Sequence, residues 1–188
     1  MGMQAANLTN HFLIAMPSLA DPNFFRTVTF VCEHNANGAL GIVINRQTDI
    51  RLGDLLKHLK IGDAPESVAA RPVYFGGPVA PQRGFVLHRA EGEWEASLKI
   101  GDELALTSSR DILAAIARSA GPKDYLVVLG YAGWGPGQLE QELAENAWLS
   151  GPASSEILFE MPVERRWQAA AALLGVDLAL ISSVAGRA

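Results

Sequence analysis

Apolar residues fall along this chain in two rhythms, short β-branched runs and helical spacings, separated by glycine and proline. His11 to Met16 is predicted as a strand stopped by Pro17, which has no N–H for a ladder. Thr27 to His34 (TVTFVCEH) and Ala39 to Arg46 (ALGIVINR) are β-branched and apolar. Asn37-Gly38 between them signals a hairpin, because both residues tolerate positive φ. Leu52, Leu55, Leu56 and Leu59 share one helical face, so a short helix is expected over Leu52 to Leu59, followed by a loop. PVYFGGPV and GFVLHR read as strands around a Gly76-Gly77-Pro78 turn, and EASLKIGDELALTS as a hairpin turning at Gly101-Asp102. SSRDILAAIARSAG is predicted as a helix. Ser108 and Asp111 have capping-box spacing, Ile112, Leu113 and Ile116 form the apolar face, and Gly121-Pro122 ends it.

DYLVVLGY is so evenly apolar that it is expected to be buried on both faces, as a central strand. A helix is predicted from Gln138 to Leu149, with Leu139, Leu143 and Ala147 inward. SEILFEM reads as one more strand, and VERRWQAAAALLG as a final helix closed by Gly175. There is no internal repeat, low-complexity tract or linker. Strands dominate first and mix with helices later, which favours one α+β domain over 1–188 with a mixed sheet and flanking helices rather than a doubly wound fold. Positions 1–8 are expected to be flexible and 177–188 to form a C-terminal tail.

Composition narrows the function classes. The 188 residues are 49% hydrophobic and 19% charged, a globular balance, and the net charge of −5 disfavours a general polyanion binder. The single cysteine, Cys32, excludes an intramolecular disulfide and fits a reducing compartment. The N-terminal apolar stretch lacks the basic region of a secretory signal, and Pro17 interrupts it. The apolar run Ala169 to Ala185 is short for a membrane span and carries Gly175 and Asp177. A soluble, cytoplasmic chain with no membrane partner is expected.

The stretch LGYAGWGPGQLEQELAENAWL has the layout of a phosphate-binding turn: a strand, a glycine cluster, then a helix whose N–H groups would face an anion. The spacing Gly133, Gly135, Gly137 is not G-x-G-x-x-G, however, and Pro136 removes a donor. From Asp124 to Glu164 there are seven carboxylates and no Lys or Arg, which would repel an anion. The segment reads as a structural corner, with Trp134 either folded inward or offered as a flat contact face.

Cys32 and His34 stand two apart on a predicted strand, so regular alternation would put both on one face, where a base could activate a thiol. The competing reading is a buried thiol on the face of Val28 and Phe30, with His34 at the strand end. The four histidines show no metal-ligand spacing and no G-x-S-x-G occurs, so no metal and no cofactor are expected. Arg165 and Arg166 sit on a helix without a helix-turn-helix partner, which disfavours direct nucleic-acid binding. Polar residues and glycines gather at predicted strand ends without a catalytic set. The candidate surface for a protein or small-molecule partner is therefore Glu33, His34, Asn45, Arg46, Gly76, Gly77, Pro78, Trp134 and Gln138.

Three long segments in order resemble the bacterial YqgE/AlgH family: HFLIAMPSLADPNFFRTVTFVCEHNANGALGIVINR, VYFGGPV followed by RGFVLH, and YLVVLGYAGWGPGQLEQELAENAWL. The resemblance runs from about His11 to Ala171 and continues into ILF and the Trp-containing helix. It implies a single cytosolic α+β domain whose sheet folds into a partial barrel. It carries no established biochemical activity. The family label links some members to alginate and transcriptional regulation, which for a chain without a DNA-binding element implies an indirect role. The expected function is a non-enzymatic regulatory module that binds a partner or small ligand. The alternatives are an enzyme using Cys32 and His34 in a pocket and a direct DNA-binding regulator.

Overall fold

The computed structural model describes residues 7–185. In chain order its elements are β1 (His11–Ala15), β2 (Val28–Asn35), β3 (Gly38–Val43), β4 (Gln47–Arg51), α1 (Leu52–His58), α2 (Glu66–Ala69), β5 (Pro72–Phe75), β6 (Val79–Arg89), β7 (Ser97–Ile100) and β8 (Leu104–Thr107). They continue with α3 (Arg110–Ala117), β9 (Tyr125–Trp134), α4 (Gln138–Ala144), β10 (Trp148–Pro152), α5 (Ser155–Phe159), α6 (Arg166–Ala172) and α7 (Leu178–Ala185).

The strands join in one curled ten-stranded sheet, ordered β10-β1-β2-β3-β9-β6-β8-β7, with β4 and β5 attached beside β9. All pairs are antiparallel except β5 with β9, so the sheet is mixed. One face carries the larger core, where Phe12, Phe30, Leu87 and Val128 pack under Ile157, Leu158, Trp167 and Leu178 of the C-terminal helices. The other face is divided. Leu52, Leu56, Ile112 and Ile116 of α1 and α3 cover Val73, Val86 and Val127, whereas Leu139 of α4 closes over Leu13, Val31, Trp134 and Trp148.

The central strand β9 is bonded on both edges and buried on both faces, as its even apolarity predicts. Its alternation slips at Gly130. Leu126 and Val128 face the larger core before it, Tyr131 after it. Gly130 holds φ 78°, a left-handed conformation that glycine adopts without the steric cost a Cβ brings. At this slip the chain leaving β5 crosses over β9 to begin β6 on the opposite edge. The approach is backbone on backbone: a Cβ on Gly76 would stand 2.4 Å from the Gly130 oxygen, and one on Gly77 2.2 Å from the Tyr131 carbonyl carbon. Gly76-Gly77-Pro78 is thus a crossover and not a hairpin turn, because β5 and β6 both pair with β9 and not with each other.

Four other expectations change. The helix after the glycine corner ends at Ala144, because Asn146 takes φ 60° and turns the chain back. Trp148–Pro152 then forms the edge strand β10 against β1, where Pro152 needs no ladder N–H on its open side. SEILFEM is not a strand. Ser154 caps α5, its hydroxyl accepting from Ile157 N at 3.4 Å, and turns the apolar pair Ile157-Leu158 onto the larger core. The N-cap of α3 is Ser109 rather than Ser108; its hydroxyl donates to Asp111, which also accepts from the Ile112 N–H. At the termini, 177–188 is helical over Leu178–Ala185. Leu8 is buried, while positions 1–6 of the flexible segment expected over 1–8 lie outside the described residues.

Candidate functional site

Of the residues gathered into a candidate surface by sequence, Arg46 bonds to the residue before Gly76 and Glu33 and Trp134 line one depression, and most polar atoms of the set are occupied within the fold. Asn45 ties strand ends together: its Oδ1 accepts from Val28 N and its Nδ2 donates to Arg26 O, both at 2.9 Å. The Arg46 guanidinium donates to the carbonyls of Pro22, Asn23 and Phe25 at 2.7, 2.8 and 2.9 Å, so it organises the loop after β1. Burial lowers its pKa, opposed by the nearby Asp21 carboxylate. Trp134 is buried, and its indole N–H donates to Glu142, which also accepts from Trp148. Gln138 accepts from Gly135 N at 2.9 Å and donates to Glu142 at 3.0 Å, bracing the glycine corner from inside the chain. Glu33 is exposed beside a shallow depression that also exposes Asn35 and Asn37, and Pro78 is exposed at the crossover.

Cys32 and His34 are not brought together. A register shift between Val31 and Glu33 interrupts the alternation of β2. Cys32 sits in the larger core beside Phe30, whereas His34 pairs with Ala39 on the face closed by α4. Burial, followed by the neighbouring Glu33 charge, pushes the Cys32 thiol far above its ordinary pKa, the opposite of what a nucleophile requires. The His34 Nδ1 accepts from Leu8 N at 3.0 Å, which leaves the ring proton on Nε2 to be donated to Glu140. Glu140 has its pKa lowered by its own backbone N–H and then by His34. Both side chains hold the fold. Among the described residues no group of three or more His, Cys, Asp and Glu is placed to hold a metal ion.

Two features were not found by sequence reasoning. The first is a cleft of about 170 Å³ between α1, β6, β9 and α3. Leu55, Leu59, Val86, Leu113, Val127 and Leu129 form its apolar floor, and Gln82, Arg83, Ser108 and Arg110 stand along its rim, while the Phe85 ring points to the opposite face, into the larger core. The irregularity of β6 between Val79 and Gly84, with Ala80 at φ 45°, sets Gln82 and Arg83 along this opening. Arg110 donates one N–H to Leu59 O at 2.6 Å. Arg83 lies over the Phe85 ring, 5.1 Å from its centroid, and makes no hydrogen bond or ion pair with any described residue. The leucine spacing of α1 and the capped α3 were visible in sequence, but their meeting across β6 and β9 was not.

The second is a buried polar relay on the β6-β8-β7 side. His88 Nδ1 lies 2.5 Å from Arg89 O, which only accepts, so Nδ1 carries the proton. Burial lowers the His88 pKa, offset by the Arg89 carbonyl and Glu91, and keeps the ring neutral. Its Nε2 therefore accepts from the Thr107 hydroxyl at 2.7 Å, and Thr107 in turn accepts from Ser97 at 2.6 Å. Ser97 is exposed in a depression of about 400 Å³ shared with Trp94 and Lys99.

A single curled mixed sheet with helices on both faces, crossed at its central strand by a glycine pair, defines the architecture. The AlgH-like family profile matches residues 12–179, and the chain belongs to that family. A UPF0301 protein of Nitrosococcus oceani is 59% identical over 95% of this chain and 96% of its own. One from Thioalkalivibrio sulfidiphilus is 58% identical over 98% of each. The solution structure of the AlgH protein from Pseudomonas aeruginosa, 49% identical, superposes with a TM-score of 0.80 over 97% of both chains. A crystal structure from Corynebacterium diphtheriae, 20% identical, shares the fold with a TM-score of 0.73 over 97% of this chain and 94% of its own. Among the described residues no helix is long and apolar enough to cross a membrane.

Proposed function

We propose that the protein is a cytosolic, non-enzymatic regulatory module that senses a small ligand in the cleft between α1, β6, β9 and α3. The observation that carries this reading is the cleft itself: a continuous apolar floor from four elements, open to solvent, beneath a rim of polar side chains. Specific small-molecule sites combine these two qualities, apolar walls for affinity and a few polar groups for orientation. The acidic corner around Trp134 has its indole and amide donors already taken, which favours the cleft over it. Methyl NMR of Leu55, Leu113 and Val127 during titration with a panel of small carboxylates, amines and neutral amphiphiles tests the reading. Saturable shifts at these methyls are expected. A panel that leaves all three unmoved removes the cleft as a binding site.

A second reading is favoured by one observation, the fixed direction of the relay. Because His88 Nε2 accepts from Thr107 and Thr107 from Ser97, the Ser97 hydroxyl proton points inward and its lone pairs face solvent. In ester hydrolysis the Ser97 oxygen would bond to the acyl carbon as the alcohol departs. Its proton would pass to Thr107 as the Thr107 proton passes to His88; the relay run in reverse would return a proton to the leaving alkoxide, and a water would then cleave the acyl–Ser97 bond, releasing the carboxylic acid and restoring the Ser97 hydroxyl. Covalent labelling of Ser97 by an activated phosphonate ester, lost in Ser97→Ala, is the measurement. No labelling at millimolar reagent ends this reading.

A further inference from the structure

We propose that two copies of this chain associate through the end of the larger-core face built by β2, β3, β9 and β6, with Arg83 of each copy against Glu33 of the other. The proposal goes beyond the binding reading and does not rest on it, because the leucine and valine floor of the cleft belongs to the opposite face.

Charge is sparse at this end of the sheet. The chain carries 20 acidic and 15 basic residues. Yet along 33–41, 76–84 and 129–138, which meet here, the only acidic side chain is Glu33 and the only lysine or arginine is Arg83. Both are exposed, and neither makes a hydrogen bond or ion pair with any described residue. Depletion of charge, with the few charged groups at the margin, is the signature of an interface core and its rim.

Register puts the two charges on one face. Glu33 lies opposite Leu40, Leu40 opposite Gly133, and Tyr131 opposite Val79. Opposed residues of a ladder point to the same side, and Leu40, Tyr131 and Phe85 all pack against the larger core. The Arg83 guanidinium rests on that side too, 5.1 Å from the Phe85 ring centroid. Glu33 on β2 and Arg83 on β6 are three strands apart, roughly 14 Å at ordinary strand spacing. The band between them is uncharged. Val79 is 38% exposed, Leu40 and Tyr131 are half-buried, and Gly133 presents bare backbone beside Tyr131 and Val79. The Tyr131 hydroxyl has no hydrogen-bond partner among the described residues.

One acid and one base on opposite sides of an apolar band complement themselves. A two-fold rotation about an axis through the band exchanges the β2 side with the β6 side, so a single pairing is made twice. The bare Gly133 lets the two surfaces approach. A polyanion or a polycation would meet one like charge here, and a foreign protein would need the same pair in the matching order. A second copy supplies it without further design.

Sedimentation of the full chain across a wide concentration range, with methyl NMR on dilution, tests the proposal. A reversible dimer is expected, with dilution shifts at Leu40 and Val79 and none at Leu55 or Leu113 in the cleft. Arg83→Glu and Glu33→Arg should each weaken association by at least about ten-fold, since either one turns two attractions into two repulsions. Combining them should restore it to within about three-fold of the starting protein, as coupled residues require. Neither side chain makes an internal hydrogen bond, so the melting temperature of the dilute monomer should stay unchanged in all three variants. A chain that remains monomeric to millimolar concentration overturns the proposal and leaves this face to a different partner. A dimer that both reversals leave intact overturns it as well, since the interface then lies elsewhere. Weakening by each reversal without recovery in the combined variant refutes the pairing of Arg83 with Glu33.

Discussion

The crossover over β9 yields a sharp stability test, because the chain contains an internal control for it. Gly130 and Gly137 hold nearly the same left-handed backbone, at φ 78° and 74°. Their surroundings differ. A Cβ on Gly130 would lie 2.3 Å from the Gly77 carbonyl oxygen and 3.2 Å from both the Pro81 Cα and the Val79 oxygen, whereas one on Gly137 would meet nothing within 4 Å. Substituting alanine at Gly137 should therefore cost only the left-handed penalty, about 1–2 kcal/mol. Gly130→Ala carries the same penalty and adds an overpacking cost of about 1–3 kcal/mol, because the atom it strikes is backbone and cannot rotate away.

For a chain of this length that added cost corresponds to a further fall in melting temperature of roughly 2–12 °C, at about 2–4 °C per kcal/mol. Urea denaturation of the two variants, with equal slopes as a check on two-state behaviour, measures the difference. Equal destabilisation of the two proteins would refute the reasoning: it would mean that β5 does not pass tightly over β9, and that Gly130 is required only for its dihedral angle. Gly77→Ala probes the same crossing from the other side and should be at least as costly as Gly130→Ala.

Glu142 takes both indole N–H groups on one oxygen and the Gln138 amide on the other, so Glu142→Ala should cost roughly 2–4 kcal/mol by denaturation and Glu142→Gln about half as much. Cys32 should react with a thiol reagent only on unfolding. Its folded pKa is raised, so the neutral buried thiol contributes fully below the unfolded value of about 8.5 and that contribution is lost as pH rises above it; Cys32→Ala should flatten the alkaline fall in stability. Asp111 has the opposite sign. Burial works against its charge, but bonds from Ser109, Glu95 N and Ile112 N outweigh that and lower its pKa, so its contribution is in place above about 3.9 and lost as pH falls further; Asp111→Asn should weaken this acid dependence. Arg166 is buried, donating to Ile44 O and Met161 O over the Tyr74 ring, so Arg166→Met should lower stability by about 2–4 kcal/mol rather than alter any nucleic-acid affinity.

How much of the fold could be read from sequence depended on whether the signal was local. Tyr125 to Tyr131 announced a central strand because burial on both faces leaves no polar alternation, and α1 and α3 declared themselves through leucine and isoleucine spacing. The Ser155 to Met161 segment misled because three apolar residues in a row, Ile157 to Phe159, fit either period. The deciding contact, Ser154 on Ile157 N, depends on a preceding strand that Gly151 and Pro152 disguise. The bulges were invisible for a different reason: a one-residue slip is set by the partner strand. The slip in β2 separated Cys32 from His34, and alternation could not anticipate it.

The same distinction explains why the candidate surface moved. The motifs densest in glycine, asparagine and tryptophan build the places where backbone meets backbone. Gly76, Gly77 and Gly130 make the crossing, Asn45 and Arg46 fasten the strand ends beside it, and Trp134 with Gln138 locks the corner beyond. Their side chains have few free donors left, so a motif search finds the frame. The crossing also sets the cleft. Leu129, the residue before Gly130, faces it, and Gly84 opposite Leu129 ends the irregular stretch of β6 that brings Arg83 to its rim. The remaining walls come from Leu55 on α1 and Leu113 on α3, which sequence marks as ordinary helix faces. A site assembled from unremarkable residues on four elements leaves no motif. The apolar floor, with Gln82, Ser108 and Arg110 at its rim, exists only once the crossover has brought those elements together, and for that reason ligand binding should be tested at the cleft before the motifs.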